Sequence, residues 1–346
     1  MKVLVTGAFG NIGSSTLAEL HLQGHTVRAF DVPTKANLKK ARAWASRVEI
    51  VWGDLRQPQD VAAAVHGQDV VIHLAFIIPK LSATGVGTDE QPEWAEAINV
   101  GGTANLLEAL KAQPGPPKII FTSSLHVYGL THDQPPPRRA DDPLLATDRY
   151  SLHKIRCEEM VRESGLPWAV FRLAATLPLD LRLDPAMFTI PLDNRMEFVH
   201  TRDVGLALAN AAASEEVWGK TWLLGGGERC QFLYGEMVKQ VLNASGVGML
   251  PAEAFDAQPF GADWLDSRVT EEVLHYQRHT LADWSQDLRR RLGPRRHLAW
   301  LCQPLVRYWL LRRSPRFRRA NGQPNVLAIL RSLYRRQPED QALGGA

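Results

Sequence analysis

Apolar, β-rich runs recur through the first half of the chain, separated by stretches with helical periodicity. KVLVTG (2–7) has no polar alternation, as a strand buried on both faces should, and HTVRAFD (25–31), RVEIVWGD (47–54), DVVIHLA (69–75), PKIIFTSS (117–124) and PWAVFRL (167–173) read as further strands. Between them, residues 12–23 carry Ile12, Leu17 and Leu20 at helical spacing and close on Gly24. PQDVAAAVHG (58–67), the long WAEAINVGGTANLLEALKA (94–112) and residues 150–164 also read as helices. Strand–helix alternation of this kind predicts an α/β fold, a Rossmann-type doubly wound parallel sheet with right-handed crossovers over residues 1–175.

Past residue 175 the pattern loosens. Pro- and Asp-rich loops, short strands at MEFVH (196–200) and TWLLGG (221–226), and isolated helices predict a smaller C-terminal substrate-binding lobe over 176–290, with parts of 198–227 returning to the first domain. Residues 291–346 form a basic, partly apolar helical tail. DQPPPRRADDP (133–143) reads as a proline-rich surface loop.

The chain has 346 residues, 45% hydrophobic and 22% charged, ordinary values for a globular protein. Three distant cysteines, Cys157, Cys230 and Cys302, fit a reducing cytoplasm and argue against a disulfide framework or a cysteine zinc site; no metal is expected. MKVLVTG reaches glycine before a signal-length apolar run can form. The net charge of +3 conceals a division: residues 1–288 carry −9, and residues 289–346 carry +12. Fourteen arginines, with no lysine and no acid, lie between Arg289 and Arg336.

TGAFGNIG (6–13) places Gly7, Gly10 and Gly13 at three-residue spacing, directly after a buried strand and at the start of a helix. In that context Gly7 permits the sharp turn, Gly10 lets the backbone approach a pyrophosphate, and Gly13 lets the helix pack on the strand. Phe9, Asn11 and Ile12 belong to the same turn, where the helix N-terminus offers free N–H groups to an anion. Asp31 ends the second strand, where a carboxylate accepts ribose hydroxyls and repels a 2′-phosphate. The expected cofactor is NAD rather than NADP.

YSLHK (150–154) sets Tyr150 and Lys154 four apart on one helical face. A nearby ammonium and an oxidised nicotinamide would lower the phenol's pKa from about 10. TSSLHVYG (122–129) brings Ser123 and Ser124 to the carboxyl end of the fifth strand, where ligands of such folds bind. A hydroxyl there would hold a substrate oxygen while Tyr150 moves its proton.

These motifs, with GDL (53–55), HLA (73–75), NVGGT (99–103), FRL (171–173), FVHTRDV (198–204) and LLGGG (223–227), make residues 1–290 resemble the extended short-chain dehydrogenases/reductases of the NAD-dependent epimerase/dehydratase superfamily. The resemblance implies a catalytic Ser124–Tyr150–Lys154 group. It implies cofactor contacts at Asp54 and Leu55 for adenine, at Ala75 for ribose and phosphates, and at Tyr150 and Lys154 for the nicotinamide side. It also implies that Asn99 braces the active-site helix next to the cofactor. The implied reaction is hydride transfer between the cofactor and a secondary alcohol or ketone.

Three departures narrow the substrate. Leu125 stands where dehydratases of the superfamily carry an Asp for elimination, so dehydration is not expected. Ala175 replaces an asparagine that contacts the substrate phosphate of many nucleotide-sugar enzymes. PAEAFDAQPFGAD (251–263) lacks their diphosphate-binding arginine, leaving Arg172, Arg195 or Arg268 as substitutes. His126 and His200 are further candidates to border the substrate, with His200-Thr201-Arg202-Asp203 starting a helix capped by Thr201 or Asp203. Three readings stay open: an oxidoreductase acting on a sugar-like or moderately apolar substrate, a nucleotide-sugar epimerase with tightly held NAD, and a non-catalytic NAD-binding scaffold or sensor. Nucleic acid is not an expected partner. HLAWLCQPLVRYWLLRR (297–313) is too short and too broken to span a bilayer. Two roles stay open for the tail: docking on an anionic membrane surface through residues 295–336, or packing on its own body or on a second copy in a homodimer.

Overall fold

In a computed structural model, residues 1–79, 87–179, 183–294 and 300–321 are described, without the side chains of 320 and 321. Seven parallel strands form the central sheet in the order β3-β2-β1-β4-β5-β6-β8. They are β1 (Lys2–Thr6), β2 (Thr26–Asp31), β3 (Glu49–Trp52), β4 (Val70–His73), β5 (Lys118–Ser124), β6 (Trp168–Leu173) and β8 (Lys220–Leu224). The pairing steps one way from β1 through β2 to β3 and the other way through β4, so the order reverses beside β1. That reversal opens a crevice at the carboxyl ends of β1 and β4, where doubly wound folds bind ligands.

The central strands β1, β4, β5 and β6 are almost wholly buried, whereas β3, at the sheet edge, has no buried residue. On one face Leu4, Phe30, Val71, Phe121 and Val170 join a single cluster. It includes Val61 and Val65 of α3 (Pro58–Val65), Leu106 and Leu110 of α5 (Gly102–Lys111), and Val161 of α6 (Arg149–Arg162). Elsewhere α1 (Asn11–Leu22) packs along α7 (Thr201–Ala213). A Cβ on Gly205 would meet the Ser15 carbonyl carbon at 2.6 Å, so glycine sets how closely these two helices approach.

Several sequence expectations are corrected here. Thr221–Leu224 of TWLLGG is part of β8, which pairs with β6 as the seventh strand of the main sheet. Of MEFVH, Met196 and Glu197 lie in β7 (Arg195–Glu197), which pairs with β9 (Gln231–Leu233) in a small second sheet. The long helix predicted over 94–112 is interrupted. A short α4 (Pro92–Glu96) runs into a π-helical turn at Ala97–Gly101 before α5 begins. α2 (Lys35–Ala41) went unread, although Thr34 caps it by accepting the Asn37 N–H. α7 is capped by His200, whose Nδ1 accepts the Arg202 N–H at 3.1 Å, rather than by Thr201 or Asp203.

The chain divides into two compact units. The first comprises residues 1–178, 195–232 and 261–281; the second comprises 179–194, 233–260 and 282–346. The first holds the whole sheet and α9 (Arg268–Leu274). In the second, α8 (Tyr234–Ala244) fixes the preceding loop through the Tyr234 phenol, which donates to the Met187 carbonyl, and Phe188 packs edge-on against Phe255. α10 (Leu281–Leu292), α11 (Gln303–Leu311) and α12 (Pro315–Asn321) follow. Residues 295–299 and 322–336 of the tail segment lie outside the described residues.

Candidate active site

At the end of β1 the chain turns at Gly7, whose φ of +66° favours glycine. A Cβ there would meet the Ala75 backbone at 2.8 Å. A Cβ at Gly13 would overlap the Gly7 carbonyl oxygen and stand 2.7 Å from that of Ala8. The two glycines therefore let α1 start hard against the strand ends. Gly10 caps α1 without a side-chain hydrogen bond, so no side chain engages the first-turn N–H groups around Asn11, Ile12 and Gly13. An uncapped helix start beside a glycine turn suits a pyrophosphate.

Asp31 lies at the same strand end. Its Oδ2 accepts the Phe9 N–H at 2.9 Å, and its Oδ1 accepts Val32 N–H and Asn37 Nδ2. Three of about four lone-pair positions are thus filled, which leaves room for a hydroxyl. Burial pushes this carboxyl above its usual range, against the backbone hydrogen bonds and Lys40. Asp54 is gripped by Arg56, which holds its carboxyl below the usual range. Leu55 is buried beneath Gly102, where a Cβ would come within 2.7 Å. The turn, Asp31 and Ala75 fit an adenine dinucleotide, and they are the residues that would hold it.

Farther along the sheet edge, β5 and α6 bring the predicted chemical group together. The Ser124 hydroxyl lies near the Tyr150 phenol and favours its ionised form, and Ser124 Oγ accepts the His126 N–H. Lys154 donates to the Thr122 carbonyl at 2.7 Å. Its ammonium stands 3.5 Å from the Phe76 ring centroid and 4.8 Å from that of Phe121. Burial drives Lys154 down to about 7 and Tyr150 up to about 12. The Lys154 ammonium lies 5.9 Å from the phenol ring centroid, and at Tyr150 burial outweighs the effect of the Ser124 hydroxyl.

The group is mounted firmly. Asp148 caps α6 by accepting the Ser151 N–H at 2.7 Å. Asn99, in the π-helical turn, pairs with both backbone groups of Ile77 and reaches His153 Nδ1 at 3.2 Å. Asn99 thus ties the segment after β4 to α6. Cys157 Sγ closes on the Asn99 carbonyl at 3.3 Å. One turn beyond Lys154 on α6, Glu158 accepts two hydrogen bonds from Arg172, of 3.0 and 2.8 Å. Although burial opposes it, the Arg172 guanidinium holds Glu158 below the usual carboxyl range.

The other candidates divide. His126 meets the Tyr150 ring edge-on at 5.9 Å, and burial lowers its pKa, so it presents a neutral ring beside the phenol. Ala175 joins Phe198 in an isolated parallel bridge. His200 is fully buried as the α7 cap, its ring 4.9 Å from His279, so it does not line an open site. None of the three arginines suggested for a diphosphate is left without a partner: Arg172 serves Glu158 and Arg268 serves Asp266. Arg195 pairs with Asp263 at 2.6 Å and also donates to the Thr131 and Gln134 carbonyls.

Sequence reasoning missed two contributors. Phe76, the aromatic just after HLA, covers Lys154 and meets Tyr150 edge-on at 5.9 Å. His73 bridges β1 and α5, with Nδ1 2.7 Å from Thr6 Oγ1 and Nε2 3.1 Å from Thr103 Oγ1. Burial holds it neutral, near a pKa of 3. The signal for both was their position at the carboxyl end of β4.

A sequence profile described as "NAD dependent epimerase/dehydratase family" matches residues 3–177. Among curated relatives, "3 beta-hydroxysteroid dehydrogenase/Delta 5-->4-isomerase" of Mycobacterium tuberculosis is 38% identical over 123 residues, 36% of this chain and 31% of that protein. "3 beta-hydroxysteroid dehydrogenase type 7" of Rattus norvegicus is 31% identical over 169 residues, 47% of this chain and 48% of its own length. The chain thus spans less than half the length of the curated relatives it matches. Among solved structures, a UDP-glucose-4-epimerase from Stenotrophomonas maltophila with bound NAD superposes with a TM-score of 0.70 at 22% identity, covering 84% of this chain and 97% of that one. A UDP-glucuronic acid 4-epimerase from Bacillus cereus, in complex with UDP-glucuronic acid and NAD, gives 0.69 at 24%, covering 85% and 100%. The glycine turn, the sheet order and the profile match lead to one conclusion: this chain belongs to the NAD-dependent epimerase/dehydratase family.

Proposed function

We propose that the chain is an NAD-dependent oxidoreductase that acts on a secondary alcohol or ketone of a moderately apolar substrate, of the hydroxysteroid kind, through Ser124, Tyr150 and Lys154. When bound, NAD supplies the hydride-accepting ring. Everything else falls to the chain. Ser124 Oγ holds the substrate oxygen, and Tyr150 Oη takes the alcohol proton as the carbon surrenders its hydride. Lys154 holds the nicotinamide ribose and adds positive charge beside the phenol. Reduction runs the same proton back from Tyr150. Leu125, next to Ser124, has no group for proton transfer, which tells against dehydration.

One observation separates this reading from nucleotide-sugar epimerisation: Arg195 is neutralised by Asp263 and held by backbone carbonyls. A diphosphate carries strong negative charge and calls for a guanidinium able to turn to it. An apolar substrate needs none, and two of the curated relatives carry hydroxysteroid names.

A panel of 3β-hydroxysteroids and UDP-sugars, followed by nicotinamide absorbance, tests this reading. Net NADH with a steroid alcohol is expected, and Tyr150→Phe should lower its rate by about 10²–10⁴-fold. A UDP-sugar inverted at one carbon, with no net NADH, would replace the proposal by epimerisation. NAD binding without turnover of either class would favour the scaffold.

A further inference from the structure

Among the described residues twelve large apolar side chains are exposed, and four of them fall between positions 300 and 309. Trp300, Leu301, Leu305 and Trp309 are 64, 69, 70 and 43% exposed. Leu305 and Trp309 are four apart in α11 and so share one of its faces; Trp300 and Leu301 lie just before its first turn.

The opposite face explains why this stripe points outward. Gln303 Nε2 donates to the Val247 carbonyl at 2.8 Å, and Arg307 Nη1 donates to the Met249 carbonyl at 2.7 Å. Leu310 and Leu311 are fully buried, and Ser314 donates to the Ala254 carbonyl at 2.6 Å. α11 is therefore anchored on the 247–254 loop of its own unit. Packing on the body, one of the two roles left open for the tail, accounts for one face of α11, while the Trp–Leu face stays exposed among the described residues.

Charge identifies what would cover it. Arg312, Arg313, Arg316, Arg318 and Arg319 follow the stripe and are exposed. The Arg313 guanidinium lies 3.7 Å from the Trp309 ring centroid. No acidic residue occurs from 289 to 336. A second copy related by a two-fold axis would bring the same surface to itself, arginine facing arginine. An anionic bilayer offers an apolar layer for Trp and Leu at the depth where its headgroups meet the arginines.

We propose that exposed Leu305 and Trp309 of α11, with Trp300 and Leu301 just before it, form a peripheral docking surface for membranes rich in anionic lipid. It sits in the headgroup region without crossing, since no described helix is long and apolar enough to span a membrane. This inference is independent of the substrate assignment.

The test is co-flotation of the full chain with vesicles of phosphatidylglycerol and phosphatidylcholine, or of phosphatidylcholine alone. Three proteins are compared: wild type, Leu305→Glu/Trp309→Glu, and Arg312→Gln/Arg313→Gln. These side chains are exposed, and unchanged thermal melting would show that the variants fold. Wild type should float with the anionic vesicles only and be released by high salt. The Leu/Trp variant should lose at least tenfold in partition, and each arginine removed about fivefold. Wild type that stays lipid-free with anionic vesicles, or variants that float as wild type does, would overturn the proposal. A two-chain species in light scattering that the Leu/Trp variant converts to one chain would also overturn it, by assigning the face to a second copy.

Discussion

Lys154 shows most plainly how function and stability oppose each other at one residue. Its ammonium is buried under Phe76 and Phe121, and burial drives its pKa from 10.5 to about 7. The folded state then binds fewer protons than the unfolded chain between pH 7 and 10.5. Below pH 7 the buried charge destabilises the fold in full, and that penalty fades as pH rises toward 10.5. Lys154→Met should therefore melt higher than wild type near pH 6 and converge with it near pH 10, while losing activity. Calorimetric melting across that range checks the sign. Tyr150, raised to about 12, must be deprotonated to oxidise an alcohol. Oxidation should accelerate from pH 7 to 9 and ketone reduction should slow, a reciprocal pair of profiles readable from kcat/KM. Phe76→Leu removes the aromatic face over the ammonium. It should alter NAD affinity measured by calorimetry as well as shift the pH profile.

At the scale of elements, the β1–α1 turn and the seat of α6 carry the site. Gly13→Ala places a methyl against the Ala8 carbonyl, so α1 must move away from β1. Its expected effect is a lower melting temperature and at least tenfold weaker NAD binding. Glu158→Ala leaves the Arg172 guanidinium buried without its carboxylate, which should destabilise the protein by about 3–5 kcal/mol in urea unfolding. Both features were partly legible in sequence. The strands of the first half were readable because β-rich apolar runs are a local signal, clearest in β1, whose two-sided burial removes polar alternation. The Ser–Tyr–Lys residues were readable because helical spacing and strand-end position are local properties. The break at Ala97–Gly101 was not readable, since a π-helical turn inside an apolar, glycine-containing helix leaves no distinct pattern. Nor was the membership of TWLL in the main sheet, because a strand's partner is a long-range fact. The pairing of Arg195 with Asp263 lay hidden for the same reason: 68 positions separate them.

For the whole molecule, charge and contact divide the chain differently. The sequence separates an acidic 1–288 from a basic remainder, whereas the contacts group residues 282–346 with 179–194 and 233–260. Composition registers charge but not which segments return to pack together. Family membership settles NAD and the fold, and the substrate is then decided by the few polar groups that meet it. The central claim is that Tyr150 works on an alcohol carbon whose hydride passes to NAD. The most direct measurement uses a 3β-hydroxysteroid deuterated at its carbinol carbon, with the released cofactor read by mass spectrometry. Deuterium should appear in the reduced nicotinamide with wild type and be absent with Tyr150→Phe. Its failure to appear with wild type, or its equal appearance with both proteins, would contradict the account.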